Sequence, residues 1–143
     1  MSKIIVSACL LGENCKYNGG NNFCPQVISF VEGKEVIPVC PEMAAGFGCP
    51  RTPIEIVDGV LFDRDGNHVD APMRRAIAEL LESIRMEEIE CAVLKSRSPT
   101  CGVKQVYDGT FSGRLVDGMG LFAQALQEAG YRVVDSEEVP AAR

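Results

Sequence analysis

Hydrophobic residues form two kinds of pattern along this chain, continuous short runs and helical spacing, and together these patterns predict alternating strands and helices. Short apolar runs are typical of buried strands at residues 3–8, 35–39, 91–94 and 131–134. Apolar residues at helical spacing predict helices between them, at residues 25–32, 70–86 and 120–128. This alternation predicts an α/β fold in which a mostly parallel sheet is flanked by helices, as in three-layer, Rossmann-like domains.

The segments between these elements predict turns and one further pair of strands. Residues 54–57 and 60–62 flank Asp58-Gly59 and indicate a β-hairpin. Asp70 is a suitable N-cap for the helix that follows. Residues 41–53 are rich in Gly and Pro, so we expect a long irregular loop there.

Length and composition indicate an ordinary globular protein. The 143 residues, 46% hydrophobic and 24% charged, predict a single domain over residues 1–143. A net charge of −6 disfavours nucleic acid as a partner, because phosphate binding depends on clustered Lys and Arg. No secretory leader and no apolar run of about 20 residues is visible, so we expect a cytoplasmic protein with no membrane contact. The sequence leaves a homodimer open.

The placement of the cysteines is the strongest chemical signal. The chain has seven cysteines and one histidine, and disulfides are rare in the cytoplasm. Cys9, Cys40 and Cys101 each come after a predicted strand, in a turn rich in Gly, Ser or Pro. Ligands of parallel sheets bind beyond the carboxyl ends of the strands. We therefore expect these three thiols to converge at that edge of the sheet.

Three converging thiolates point to a soft metal. Thiolates suit zinc and iron-sulfur clusters, whereas hard cations prefer oxygen. Structural zinc sites usually take four ligands in closely spaced pairs, and this chain has no Cys-x-x-Cys pair. Three cysteines suit a 4Fe-4S cluster that leaves one iron open. Spacing alone also leaves open a redox-active or iron-sulfur sensor without turnover, and a structural zinc site.

Five short motifs resemble the signature of a bacterial family long labelled a domain of unknown function, which includes thiouracil desulfidase. They are Ser-Ala-Cys-Leu-Leu-Gly at residues 7–12, Cys-Lys-Tyr-Asn-Gly at 15–19, Cys-Pro-Glu at 40–42, Pro-Arg at 50–51 and Lys-Ser-Arg-Ser-Pro-Thr-Cys-Gly at 95–102. Lys16, Asn18 and Thr100 stand where the family pattern has Arg, Asp and Ser. None of these differences removes a cysteine.

The resemblance implies an iron-sulfur enzyme. It implies a 4Fe-4S cluster on Cys9, Cys40 and Cys101, with the open iron binding the sulfur of a small thiolated substrate. The implied reaction removes sulfur from a thiolated nucleobase such as 2-thiouracil. Sulfur leaves as hydrosulfide while water attacks the carbon, with no net redox change.

The remaining motif residues are candidates for catalysis and substrate binding. We expect Glu42 to act as general acid–base, Ser98 to orient water or substrate, and Lys95 to stabilise developing negative charge. Candidate substrate-binding residues are Ser7, Ser96, Cys15, Asn18 and Arg51. Each role has a structural alternative: Glu42 can cap or pair within a loop, and serines in such turns often bond only to the main chain.

Overall fold

The computed structural model describes residues 2–139 and contains eight strands and four α-helices. In chain order these are β1 (Lys3–Ser7), α1 (Pro25–Val31), β2 (Glu35–Val39), α2 (Pro41–Ala44), β3 (Ile54–Val57), β4 (Val60–Asp63), α3 (Asp70–Ile84), β5 (Ile89–Leu94), β6 (Gln105–Tyr107), β7 (Leu115–Asp117), α4 (Leu121–Glu128) and β8 (Val133–Asp135). Single 3₁₀ turns follow β1, at Ala8–Leu11, and β8, at Ser136–Glu138.

A four-stranded parallel sheet forms the centre of the molecule. The strand order is β2-β1-β5-β8, so β1 and β5 are the inner strands. Neighbouring residues of β1 face opposite sides, as in any strand. Ile4 and Val6 pack with Val27 of α1, whereas Ile5 packs with Met73 of α3 and with α4. This three-layer architecture confirms the predicted α/β fold.

Apolar burial on both faces of the sheet holds the layers together. Phe122 and Leu126 of α4 and Met73 of α3 are almost completely removed from solvent on one face. On the other face, Val27 of α1 is completely buried. Each such side chain contributes about 1.5–3 kcal/mol on burial. This packing holds the carboxyl ends of the strands in place, and the candidate site residues come directly after those ends in the sequence.

Some local predictions were wrong. Asp70 is the first residue of α3 and Val69 is the N-cap. The Asp70 carboxylate instead accepts a hydrogen bond from the Leu61 N–H and pairs with Arg74 at 2.6 Å. Residues 41–53 were expected to be irregular throughout, but Pro41 begins α2. The hairpin of β6 and β7 was not predicted, because three-residue strands are too short to show a period.

Two antiparallel hairpins lie beside the main sheet. One joins β3 to β4, as the sequence predicted, and the other joins β6 to β7. The hairpins contact each other through β3 and β6. Among the helices that the structure describes, none combines the length and apolar character needed to cross a membrane.

Candidate active site

A cavity of about 520 Å³ opens at the carboxyl edge of the sheet, and Cys9, Cys40 and Cys101 all line it. The three cysteines follow β1, β2 and β5, which are adjacent strands. Residues of the two hairpins also line the cavity. Its volume is typical of a pocket for a small molecule. All three cysteines therefore line one cavity at the sheet edge where the sequence placed them.

Each cysteine is positioned by a different local structure. Cys9 lies in the 3₁₀ turn that ends β1, and its sulfur accepts a hydrogen bond from Asn22 Nδ2 at 3.4 Å. Cys40 is the N-cap residue of α2. Cys101 lies in the loop after β5, where its N–H donates to Ser98 Oγ at 3.0 Å.

The loop that carries Cys101 is fastened to the start of α4. The first N–H groups of an α-helix lack partners within the helix. Here Leu121 donates to the Pro99 carbonyl, and Phe122 and Ala123 donate to the Thr100 carbonyl, at 2.8–3.0 Å. Main-chain carbonyls of the loop therefore take the place of a side-chain cap.

Close contact between this loop and α4 requires glycine at position 120. A Cβ on Gly120 would clash with the carbonyl carbon of Thr100 and would lie 2.8 Å from the Cys101 nitrogen. Any larger residue there would push the loop away from the helix. The position of Cys101 thus depends on a residue far along the chain from it.

Burial strongly affects the three thiols. It raises the pKa of Cys9 and Cys40 above the usual range, and that of Cys101 to about 12. The negative charge of Glu42 raises the pKa of all three further. Reactive redox thiols are normally found in the opposite, electropositive setting. This environment keeps the thiols protonated unless a bound cation compensates the thiolate charge.

The three cavity cysteines are soft donors, of the kind that zinc and iron-sulfur clusters prefer. Within residues 2–139, no three Cys, His, Asp or Glu side chains are arranged to hold one metal ion. A structural zinc site takes its ligands around one centre. In a cluster each thiolate binds its own iron, so the ligands are spread around a larger group. Cys9, Cys40 and Cys101 are the residues that would hold it.

Glu42 lies among these cysteines. It is in the first turn of α2 and only 7% exposed. Its Oε1 accepts a hydrogen bond from Thr100 Oγ1 at 2.5 Å, and its Oε2 lies 3.5 Å from the Cys40 sulfur. Arg51 approaches Oε2 at 4.0 Å. A buried carboxylate with these partners is well placed to exchange protons in the cavity.

Ser98 and Thr100 connect the Cys101 loop to Glu42. Ser98 Oγ lies 3.1 Å from Thr100 Oγ1 and accepts the N–H groups of Thr100 and Cys101. Because the single hydroxyl proton of Thr100 is directed at Glu42, the Ser98 hydroxyl donates to Thr100. The result is a directed chain from Ser98 through Thr100 to Glu42.

Lys95, Ser7 and Ser96 line another part of the cavity. The Lys95 N–H donates to Ser7 Oγ at 2.9 Å, which ties the ends of β5 and β1 together. The Lys95 ammonium donates to the Ser96 carbonyl at 2.9 Å and to its hydroxyl at 3.1 Å. Burial lowers the pKa of Lys95. These residues place one cation at the cavity wall.

Of the remaining predicted substrate-binding residues, Cys15 and Arg51 line the cavity but Asn18 does not. The exposed Asn18 side chain accepts the Gly20 N–H at 2.9 Å, which closes a tight turn. The expected contact of Asn18 with substrate is therefore not supported. Arg51 is held by the Gly48 carbonyl at 2.8 Å, next to Glu42.

Sequence reasoning missed several residues of the cavity wall. They are Asn22, Glu55, Tyr107 and Phe111, together with Thr100, which supports the site from behind. Asn22 stands in an Asn-rich turn, where a structural role is the ordinary expectation. Tyr107 and Phe111 belong to a hairpin without a recognisable period. Cys24, Cys49 and Cys91 lie outside the cavity lining, and Cys91 is in the core beside α1.

The chain is similar to known proteins over almost its whole length. Residues 4–138 match the model of the family described as 2-thiouracil desulfurase. The chain is similar to the uncharacterized protein YbbK of Bacillus subtilis (strain 168), with 34% identity over 146 residues, covering 95% of this chain and 97% of YbbK.

A solved structure shares the whole fold. The structure of TudS (DUF523Vcz), described as a 4Fe-4S-dependent thiouracil desulfidase, matches with a TM-score of 0.90 and 31% identity. The match covers 98% of this chain and 94% of TudS. The resemblance predicted from the motifs is confirmed, and the chain belongs to the 2-thiouracil desulfurase family.

Proposed function

We propose that this protein is a desulfidase that removes sulfur from a thiolated nucleobase such as 2-thiouracil, using a 4Fe-4S cluster held by Cys9, Cys40 and Cys101. The observation that carries the proposal is the convergence of three thiols from adjacent strands on one cavity that also holds a buried carboxylate, Glu42. Family membership and the described activity of TudS support it.

The proposed reaction is a hydrolysis. The oxygen of water bonds to the thiocarbonyl carbon, the carbon–sulfur bond breaks, and sulfur leaves as hydrosulfide with no change in electron count. A bound cluster with only three protein thiolates supplies one open iron, a Lewis acid for the soft sulfur of the substrate. The protein must then supply a base for water and charge stabilisation for the departing sulfur.

Glu42 is the proposed base. Its carboxylate faces the cavity and can take the proton that water loses on attack. The Thr100 hydroxyl on Oε1 and the Arg51 guanidinium beside Oε2 fix its orientation. The second carboxylate oxygen is the one on the Cys40 side, so water activated there is close to the cysteines.

Ser98 and Lys95 have supporting roles in this scheme. In the structure Ser98 directs its proton toward Thr100 and holds the Cys101 main chain, so its first effect is to order the loop. Lys95 brings a cation to the cavity wall, where it balances negative charge that develops on the leaving sulfur. The substrate is then a small, planar thioamide that fits beside these groups.

Anaerobic reconstitution with iron and sulfide tests the cluster. We expect about four irons per chain in the wild type and loss of the cluster in Cys9→Ala, Cys40→Ala and Cys101→Ala. Cys24→Ala is the matched control, because Cys24 lies outside the cavity lining. Equal iron content in all variants would disprove the ligand assignment.

Sulfide release from 2-thiouracil tests the enzyme function. We expect Glu42→Gln to retain iron and to lose most of the release, because an amide cannot accept the proton from water. A sensor without turnover would show the cluster and no release in the wild type. Zinc without labile sulfide would instead identify a structural zinc protein.

A further inference from the structure

Part of the cavity wall is formed by an aromatic hairpin that has no role in the proposed chemistry. We define the tip loop as residues 108–114, between β6 and β7. Tyr107, Phe111 and Gly113 from this hairpin line the cavity. Both aromatic side chains are only half-buried, so part of each remains available for contact.

Phe111 has an unusual backbone conformation. Its φ is +56°, in the left-handed region, which bulky residues rarely adopt. The turn before it is fixed by Asp108, which accepts the N–H and the hydroxyl of Thr110 at 2.9 and 2.6 Å. Strained residues of this kind persist where the surrounding structure holds them, and they are frequent at binding sites.

Two contacts with β3 hold the tip loop in place. Glu55 is 8% exposed, and its Oε1 accepts the N–H groups of Gly109 at 2.9 Å and Phe111 at 3.2 Å. Gly109 approaches β3 so closely that a Cβ there would lie 2.6 Å from the Ile56 carbonyl oxygen. A buried carboxylate is thus committed to positioning this loop.

We propose that the tip loop, clamped by Glu55, is the recognition wall for the heterocyclic ring of the substrate, and that Phe111 stacks on the ring face. The identity of the ring rests on the proposed desulfidase function. A planar base offers a π-face to an aromatic side chain, and such stacking is largely indifferent to ring substituents. Phe111 therefore favours planar thiolated heterocycles over open-chain thioamides.

Variants at position 111 separate the ring from the backbone. Phe111→Asn removes the ring and keeps a residue that tolerates positive φ, whereas Phe111→Tyr keeps the ring. Phe111→Gly is the second ring-free variant, since it relieves the backbone strain and keeps the test open if Phe111→Asn does not fold. Glu55→Ala removes the clamp without touching the ring.

Kinetics and direct binding are measured with the reconstituted protein. We expect Phe111→Asn and Glu55→Ala to raise the KM for 2-thiouracil by roughly five- to 150-fold with little change in kcat, because stacking contributes equally to ground and transition states. Uracil has the same ring but lacks sulfur. In a titration followed by NMR, these two variants should bind uracil more weakly than the wild type does, by a similar factor. Phe111→Tyr should behave as the wild type.

The outcomes separate this inference from the proposed function. Unchanged KM and uracil affinity in Phe111→Asn, equal impairment of Phe111→Asn and Phe111→Tyr, or no uracil binding by the wild type would each overturn the recognition wall. If the wild type binds uracil through Phe111 but releases no sulfide from 2-thiouracil, the wall stands and the desulfidase proposal fails.

Discussion

Replacing Thr100 by Val removes a single hydroxyl from the centre of the site while keeping the shape of the side chain. Thr100 is completely buried, and its hydroxyl lies 2.5 Å from Glu42 Oε1 and 3.1 Å from Ser98 Oγ. In the variant, Glu42 Oε1 loses its donor and the Ser98 hydroxyl loses its acceptor. The nearby Arg51 faces the other carboxylate oxygen and does not replace the lost bond.

The expected cost follows from these contacts. A hydrogen bond to a charged group contributes about 1.5–3 kcal/mol to stability, and a buried carboxylate without a donor carries its desolvation penalty. We therefore expect Thr100→Val to lower the free energy of unfolding by about 1.5–3 kcal/mol. Thr100→Ser keeps the hydroxyl and loses one methyl group, so it should cost only about 0.8 kcal/mol.

Urea denaturation measures both variants. The samples are kept anaerobic and contain a chelator, so that metal binding does not add to stability. In a Glu42→Gln background the Thr100→Val effect should shrink, because the charged acceptor is gone. Two results would refute the stabilising hydrogen bond from the Thr100 hydroxyl to Glu42. One is equal stability of Thr100→Val and Thr100→Ser, and the other is the same loss of stability from Thr100→Val in the wild type and in Glu42→Gln.

Two further predictions concern the loop contact and the response to pH. Gly120→Ala should lower the free energy of unfolding, measured by urea denaturation, by about 1–3 kcal/mol, because the new Cβ clashes with Thr100. Gly118→Ala is the control, since a Cβ there meets only an ordinary contact at 3.4 Å. Equal effects of the two substitutions would contradict the prediction. Hydrogen bonds from Asn67 lower the pKa of Asp63, so its carboxylate stabilises the fold above pH 3.8 and ceases to as pH falls through the lowered value. The difference in Tm between wild type and Asp63→Ala should therefore narrow in acid, and a difference that does not change with pH would refute this prediction.

The sequence predicts those strands and helices whose apolar residues are buried in a clear pattern. The apolar run that becomes β1 and the apolar face of α3 are both visible as patterns, because burial on the sheet requires them. Convergence of Cys9, Cys40 and Cys101 follows from parallel strands, whose carboxyl ends share one edge. These predictions need no knowledge of individual side-chain contacts.

Other features depend on contacts between segments that are distant in the sequence. The short helix α2 and the hairpin of β6 and β7 contain too few residues to show a period. Asn22 reaches Cys9, and Thr100 reaches Glu42, only once the tertiary structure is formed. Phe111 has a left-handed backbone conformation and donates its N–H to the distant Glu55, and a phenylalanine gives no local signal for either feature.

The bonding between α4 and the Cys101 loop has a consequence for measuring motion in the site. The amides of Leu121, Phe122 and Ala123 are protected by carbonyls of the loop and not by carbonyls of their own helix. Hydrogen exchange at these amides requires the loop to separate from the helix. The exchange rates of these three amides thus measure local opening of the loop at Cys101, without a probe in the cavity.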